Sequence, residues 1–361
     1  MPLTNEQKDV AKNIIKNIDN EQIQTLGGYA GTGKSTVIRV LLQVLADRGF
    51  WTCAYTGKAA NVLRKKGVTL ANTIHSTIYT PRRLPNDEVI WDLASRDEIL
   101  HAGINGFIVD EASMVSKEIH DDLSSFGLPI IYVGDHGQLE PIGTSFNLMQ
   151  TPMYRLEEVH RNAGEIAHFA NHLRQGNPSD LFQGTTRVQI VTRDAVKDKH
   201  LATVDQVICA YNRTRVEINT KVRKEKDVFH TFLYKGEKVI CLRNNRKQGL
   251  FNGMQGIVKK VYPNERIDFY SDGVFYEKIH YDPDQLGLEK NDFDFRQDAN
   301  PFDYAYCITA HKAQGDEFGS VIAIEEICDK WDHARWAYTV ASRAKNSLIW
   351  AAAPRFWPSY L

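Results

Sequence analysis

The residues with the most chemistry in them lie near the N-terminus. Gly28-Tyr-Ala-Gly31-Thr32-Gly33-Lys34-Ser35 satisfies the pattern GxxxxGK[ST]. Glycines at that spacing let successive backbone N–H groups turn inward as a nest for an anion. A helix starting there adds its partial positive charge. Lys34 would neutralise the β- and γ-phosphates of a nucleotide, Ser35 would ligate Mg2+, and Thr36 continues the same set. A glycine-rich turn without a ligand is the bland alternative, disfavoured because an apolar strand precedes the pattern and an amphipathic helix follows it. A second constellation is Phe107-Ile-Val-Asp110-Glu111, an apolar strand ending in two carboxylates. Asp110 would hold Mg2+, mostly through water, and Glu111 would orient or deprotonate an attacking water. Alone, such a pair more often marks helix-start charge. Thr4-Asn-Glu-Gln7 is a capping-box pattern, and Gln7 could equally contact an adenine. The two readings are compatible.

These groups need a scaffold that brings strand ends together. The first 150 residues alternate short apolar runs with helical patterns. Residues 22–26, 51–55, 106–109 and 129–133 read as strands, and 37–47, 58–66 and 116–126 as helices between them. That alternation implies a parallel sheet covered by helices. A second alternation has strands at 188–191, 207–210, 304–309, 320–324 and 348–351. Between about 236 and 303, Asn252-Gly253 and Asp272-Gly273 punctuate alternating apolar residues, which predicts a small antiparallel β module. A shorter insert carrying Pro81, Pro85 and Trp91 suits a surface hairpin.

Composition sets bounds. The 361 residues suffice for two cores, and the polar segment MPLTNEQKDV lacks the apolar stretch of a signal peptide. The longest apolar run, Leu128–Val133, is too short to cross a bilayer. The expectation is a cytoplasmic chain with no membrane partner, its five scattered cysteines reduced and buried. A net charge of −1 argues against a broad electrostatic grip on duplex DNA. Local basic clusters exist at Arg64-Lys65-Lys66, Arg82-Arg83, Lys221–Lys226 and Arg246-Lys247, each readable as a solvated face. His168 and His172 lie four apart, but no third ligand accompanies them, so a zinc site is not expected.

The ordered motifs together resemble the superfamily-1B helicases, specifically the RecD/Dda-like group. The phosphate loop and Asp110-Glu-Ala-Ser113-Met are joined by Ala54-Tyr-Thr56-Gly-Lys58-Ala-Ala60 and Thr73-Ile-His75-Ser76. Gly134-Asp135-His-Gly-Gln138-Leu-Glu-Pro141 and Glu157-Glu-Val-His-Arg161 follow. In the second half stand Val207-Ile-Cys-Ala-Tyr-Asn212-Arg-Thr214, Thr309-Ala-His311-Lys-Ala-Gln314-Gly315-Asp-Glu317 and Tyr338-Thr-Val-Ala-Ser-Arg343. The resemblance runs from Gln7 to Ala344. Tyr55 and Glu140 stand where the family usually has Pro, and Ser342 where it has Thr.

The resemblance implies an α/β fold with two RecA-like parallel-sheet cores. The first would span 1–75 and 104–152, with a hairpin insert at 76–103 whose strand-splitting pin could use Trp91. The second would span 153–235 and 304–361, with an SH3-like insert at 236–303. It also implies ATP hydrolysis, with Mg2+, at the cleft between the cores. Gln138 would sense the γ-phosphate, Arg161 and the finger Arg343 would reach it, and Gln314, Gly315 and Glu317 would couple to the nucleotide. Thr56, Lys58, His75, Asn212, Thr214, Thr309 and His311 would contact single-stranded DNA. The activity expected is unwinding at single-strand/duplex junctions, 5′→3′, by a monomer that could meet single-strand-binding, replication or recombination proteins. Translocation without unwinding, a P-loop kinase and an ATP-gated binding subunit are the alternatives.

Overall fold

The computed structural model describes residues 3–55, 59–60, 63–64, 67–68, 71–83, 89–140, 146–159, 164–245, 248–271, 273–290, 299–327 and 332–353. The chain divides into two compact units, 1–174 with 314–316, and 175–313 with 317–361. Among the described residues no helix is long and apolar enough to cross a membrane.

Among the described residues the first unit holds the strands β1 (Ile23–Gly28), β2 (Phe50–Ala54), β3 (Asn72–Thr73), β4 (Tyr79–Arg83), β5 (Val89–Leu93), β6 (Gly106–Asp110), β7 (Ile130–Gly134) and β8 (Tyr154–Leu156). Six make a parallel sheet in the order β3-β2-β6-β7-β1-β8, and β4 with β5 forms a separate antiparallel hairpin. Successive strand residues face opposite sides. Ile108 packs with Leu26, Ile131 and Val133 in one apolar layer, whereas Phe107 and Val109 pack with Ile130 and Tyr132 in the other. The helices Asn5–Lys16 and Lys34–Leu45 cover the first layer through Ile14 and Leu41. Lys117–Ser125 covers the second through Ile119 and Leu123. A sheet buried on both faces needs continuous apolar strands, which is what these stretches are.

The first unit extends beyond residue 152, where the sequence reading drew its boundary. β8 pairs with β1, Leu26 opposite Tyr154, and the helix Glu165–Arg174 also belongs to this unit. Three residues are too few to show a strand period. In the hairpin Pro81 stands opposite Trp91. The side chain of Trp91, the pin candidate, lies outside the described residues, as does Pro85.

The second unit holds β9 (Val188–Thr192), β10 (Gln206–Cys209), β11 (Lys238–Cys241), β12 (Gln255–Tyr262), β13 (Arg266–Ser271), β14 (Val274–Asp282), β15 (Asn300–Tyr304), β16 (Cys307–Thr309), β17 (Phe318–Ile324) and β18 (Ala344–Ala352). A parallel sheet runs β16-β10-β17-β18-β9, and β11 to β15 close into a small barrel. The run 304–309, read as one strand, is two: β15 closes the barrel and β16 joins the sheet. The break is fixed by buried amides. Gln206 Nε2 donates to Ala305 O (3.0 Å) and Tyr306 O (3.1 Å), and Asn219 Oδ1 accepts from Cys307 N (2.8 Å).

The barrel is tied to its sheet by a polar stripe on the helix Asn212–Glu225. Arg215, Asn219 and Arg223 recur every four residues on one face and are all buried. Arg215 pairs with Asp303 of β15, and Arg223 with Glu237 at 3.3 Å just before β11. Arg223, counted in the sequence with the Lys221–Lys226 basic cluster, is therefore an internal ion-pair partner rather than part of a solvated face. Arg82 likewise pairs with Asp92 across the β4–β5 hairpin.

Candidate nucleotide-binding site

β1 and β6 end on one edge of the first sheet with β7 between them, the edge at which open parallel sheets bind ligands. The phosphate loop leaves β1 and opens the helix Lys34–Leu45. Gly31 and Gly33 take φ +83° and +86°, the left-handed region that a side chain disfavours. Gly33 is the helix cap and offers no side-chain cap, so the helix N-terminus opens directly from the loop, with Thr36 N already donating to Gly33 O at 2.8 Å.

Lys34 Nζ donates to Gly28 O (2.6 Å) and Tyr29 O (3.1 Å) and lies 3.7 Å from Asp135 Oδ2. Thr32 is fully buried, its hydroxyl donating to Tyr29 O at 2.9 Å. Gln7 is the capping residue that the sequence pattern predicts. It completes the capping box with Thr4, and its Nε2 donates to Thr32 O at 2.9 Å, tying the first helix to the loop.

Asp110 ends β6 and Glu111 follows it with φ 56° and ψ 40°. A left-handed glutamate directly after the strand is strained, and such strain gathers at functional positions. Ser35 and Asp110 offer a hydroxyl and a carboxylate, hard oxygen donors of the kind Mg2+ prefers. They fit that ion by chemistry. β7 ends at Gly134, and Asp135 Oδ1 accepts from Gly137 N at 2.9 Å. Among the described residues, the buried Oε1 of Gln138 and both buried ring nitrogens of His136 meet no hydrogen-bond partner. Burial pushes the His136 imidazole below its ordinary range. Unsatisfied buried polar atoms are expensive in a core and common where a ligand docks.

Gln314, expected in the second core, packs with the first unit, where its Nε2 donates to Leu139 O at 2.6 Å. Gly315 follows with φ +75°, and Glu317 is exposed in the second unit. His75 is half-buried and stacks on Tyr79, centroids 5.4 Å apart. Thr56, Lys58 and Arg161 lie outside the described residues.

In the second unit Cys209 of β10 stands opposite Thr309 of β16. Thr309 therefore ends β16, and Asn212 and His311 follow the adjacent parallel strands β10 and β16. Burial lowers the pKa of His311. Thr214 corrects the sequence reading. It is buried and its hydroxyl donates to Glu326, so it anchors the helix start and is not presented to a strand. Glu326 also accepts from Ala210 N (2.9 Å) and Tyr211 N (3.2 Å), a carboxylate at a helix N-terminus that the sequence reading missed. Arg343 is buried after the helix His333–Ala341. Its Nε donates to Thr339 O (3.1 Å) and its Nη2 to Ser342 Oγ (3.0 Å). Tyr29, Asp135, His136 and Arg174 were given no role from sequence. Of these, only Asp135, an acid directly after a buried strand, carried a usable signal.

Residues 2–193 match the family model of the AAA domain, and residues 304–349 that of the UvrD-like helicase C-terminal domain. The ATP-dependent RecD2 DNA helicase of Deinococcus radiodurans is 23% identical over 95% of this chain and 49% of its own length. The ATP-dependent DNA helicase Dda of phage T4 is 27% identical over 48% of this chain and 43% of its own. The chain spans less than half the length of these two relatives. A Bacteroides Pif1 helicase, solved with ADP-AlF3 and single-stranded DNA, shares the fold at TM-score 0.57. It is 21% identical, with 98% of this chain and 93% of that one covered.

Proposed function

Because the chain belongs to the AAA-domain family, matched over more than half its length, and to the superfamily-1B helicases of the RecD/Dda-like group, we propose that it is an ATP-dependent DNA helicase. It would move 5′→3′ along single-stranded DNA, as a monomer, and open the duplex at junctions. The observation that carries the reading is Lys34 in a glycine-shaped loop, on the same sheet edge as Asp110 and Glu111.

Each group has a physical task. The loop N–H groups and Lys34 bind the phosphates, and a bound phosphate competes with Gly28 O and Tyr29 O for the lysine ammonium. Ser35 and Asp110 would hold Mg2+, which when bound neutralises charge on the phosphates. Glu111 orients the attacking water and accepts its proton. Gln138 reads the γ-phosphate with its buried amide. Arg343, with Arg161, brings the second positive charge that a phosphoryl-transfer transition state requires. Gln314 links this chemistry to the motif that continues into Glu317. Strand contacts fall to Thr56, Lys58 and His75 in the first unit, and to Asn212, Thr309 and His311 in the second. Few of these are full charges, which suits a motor that must slide.

The test uses fluorescent duplexes carrying a 5′ or a 3′ single-stranded tail, with ATP. Strand separation from the 5′ tail is expected. Separation from the 3′ tail alone refutes the polarity. ATP turnover indifferent to single strands refutes the motor and favours a kinase.

A further inference from the structure

The phosphate loop is gripped through a side chain that phosphate binding does not itself need. The Arg174 guanidinium carbon lies 3.8 Å from the Tyr29 ring centroid, and the His136 ring centroid lies 4.1 Å from it. Two groups that close to one centroid must lie on opposite faces, since on the same face they would overlap. Tyr29 is therefore clamped on both sides, and its ring is no platform for a base. Its carbonyl, meanwhile, accepts from Lys34 Nζ and from the Thr32 hydroxyl. Moving the ring moves the carbonyl that holds the lysine.

Arg174 is itself fixed. Asn171 Oδ1 accepts from its Nε (3.0 Å) and its Nη2 (2.8 Å), one turn back on the helix Glu165–Arg174. A basic residue in a last turn ordinarily just offsets the helix dipole. Here the planar fork is also oriented by an amide and stacked on an aromatic face, a geometry lysine cannot reproduce. Arg174 is also the residue after which the chain passes from the first unit to the second.

We propose that Arg174 is a positioning residue of the nucleotide site: docked on Tyr29 and oriented by Asn171, it sets the shape of the phosphate loop from the helix at which the chain leaves the first unit. The proposal rests on the nucleotide reading of that loop.

A double-mutant cycle on the full chain tests it, read as affinity for a fluorescent ADP and as the KM and kcat of ATP hydrolysis. Arg174→Ala and Tyr29→Leu should each weaken ADP binding and raise KM by about fivefold, the worth of a partly desolvated cation–π contact. The kcat should stay within about twofold. The double variant should resemble either single one. Arg174→Lys should fall between wild type and Arg174→Ala. Thermal melts establish that each variant folds. Two effects that multiply in the double variant, or no change in either single one, overturn the clamp. A wild-type chain that binds no ADP overturns the nucleotide reading itself, a different failure.

Discussion

Lys34 and Asp135 face each other beside the phosphate loop, Nζ 3.7 Å from Oδ2, with the carboxylate almost fully buried and held by the Gly137 N–H. Together with the carbonyls of Gly28 and Tyr29, this acid keeps the ammonium at the mouth of the loop, poised for transfer to a phosphate oxygen. Lys34→Ala should therefore lower ATP turnover by at least about 10²-fold, the scale of losing one preorganised donor to transition-state charge. Phosphate release measured with single-stranded DNA in excess checks this. Turnover within threefold of wild type would take Lys34 out of the chemistry.

Glu111 sits in the left-handed region, and that strain separates its two roles. Glu111→Gln keeps the shape and loses the base. It should retain ATP binding while hydrolysis falls by about 10²-fold or more. Glu111→Gly relieves the backbone and should raise unfolding stability by about 0.5–1 kcal/mol, while turnover is equally lost. Urea titration beside the turnover assay reads both. A glycine variant less stable than wild type would mean that the glutamate side chain holds the turn.

The sheet edges and their motifs were legible in the sequence because they are written in local patterns. Glycine spacing fixed the phosphate loop, and an apolar run with two acids fixed the end of β6. The β12–β13 turn was not legible. It is made by Asn264 and Glu265, both left-handed (φ 61° and 58°), with no glycine to announce it. Nor were the clamp on Tyr29 and the stripe Arg215-Asn219-Arg223. Each depends on partners far along the chain, and a polar residue facing inward looks in sequence like one facing water. Thr214 failed for the same reason, since only the fold brings Glu326 to its hydroxyl.

Arg343 is buried and its guanidinium is held by Thr339 O and Ser342 Oγ, so it is preorganised without being neutralised by these two partners. If it is the finger, Arg343→Ala should leave ATP affinity within a few-fold and slow hydrolysis by about 10³-fold or more. Arg343→Lys should recover little, because the fork is lost. Equilibrium binding of a fluorescent ATP analogue, paired with single-turnover hydrolysis, distinguishes binding from chemistry. A near-normal single-turnover rate in the alanine variant would remove the residue from the site.

Glu237 is fully buried beside Arg223 where the barrel joins its sheet, and burial, opposed by the arginine, pushes its carboxyl from 4.5 up to about 7. The folded pKa lies above the unfolded one, so the native state holds the proton more tightly. Stability from this group is present in full below 4.5 and is lost as pH rises through about 7. The size is at most about 3–4 kcal/mol, at roughly 1.4 kcal/mol for each unit between those values. Glu237→Gln mimics the protonated acid and should remove this slope. Urea midpoints of the two proteins should then agree at acid pH and separate toward neutrality, wild type falling below the variant. Parallel curves for wild type and Glu237→Gln across that window would show that Arg223 keeps Glu237 ionised throughout.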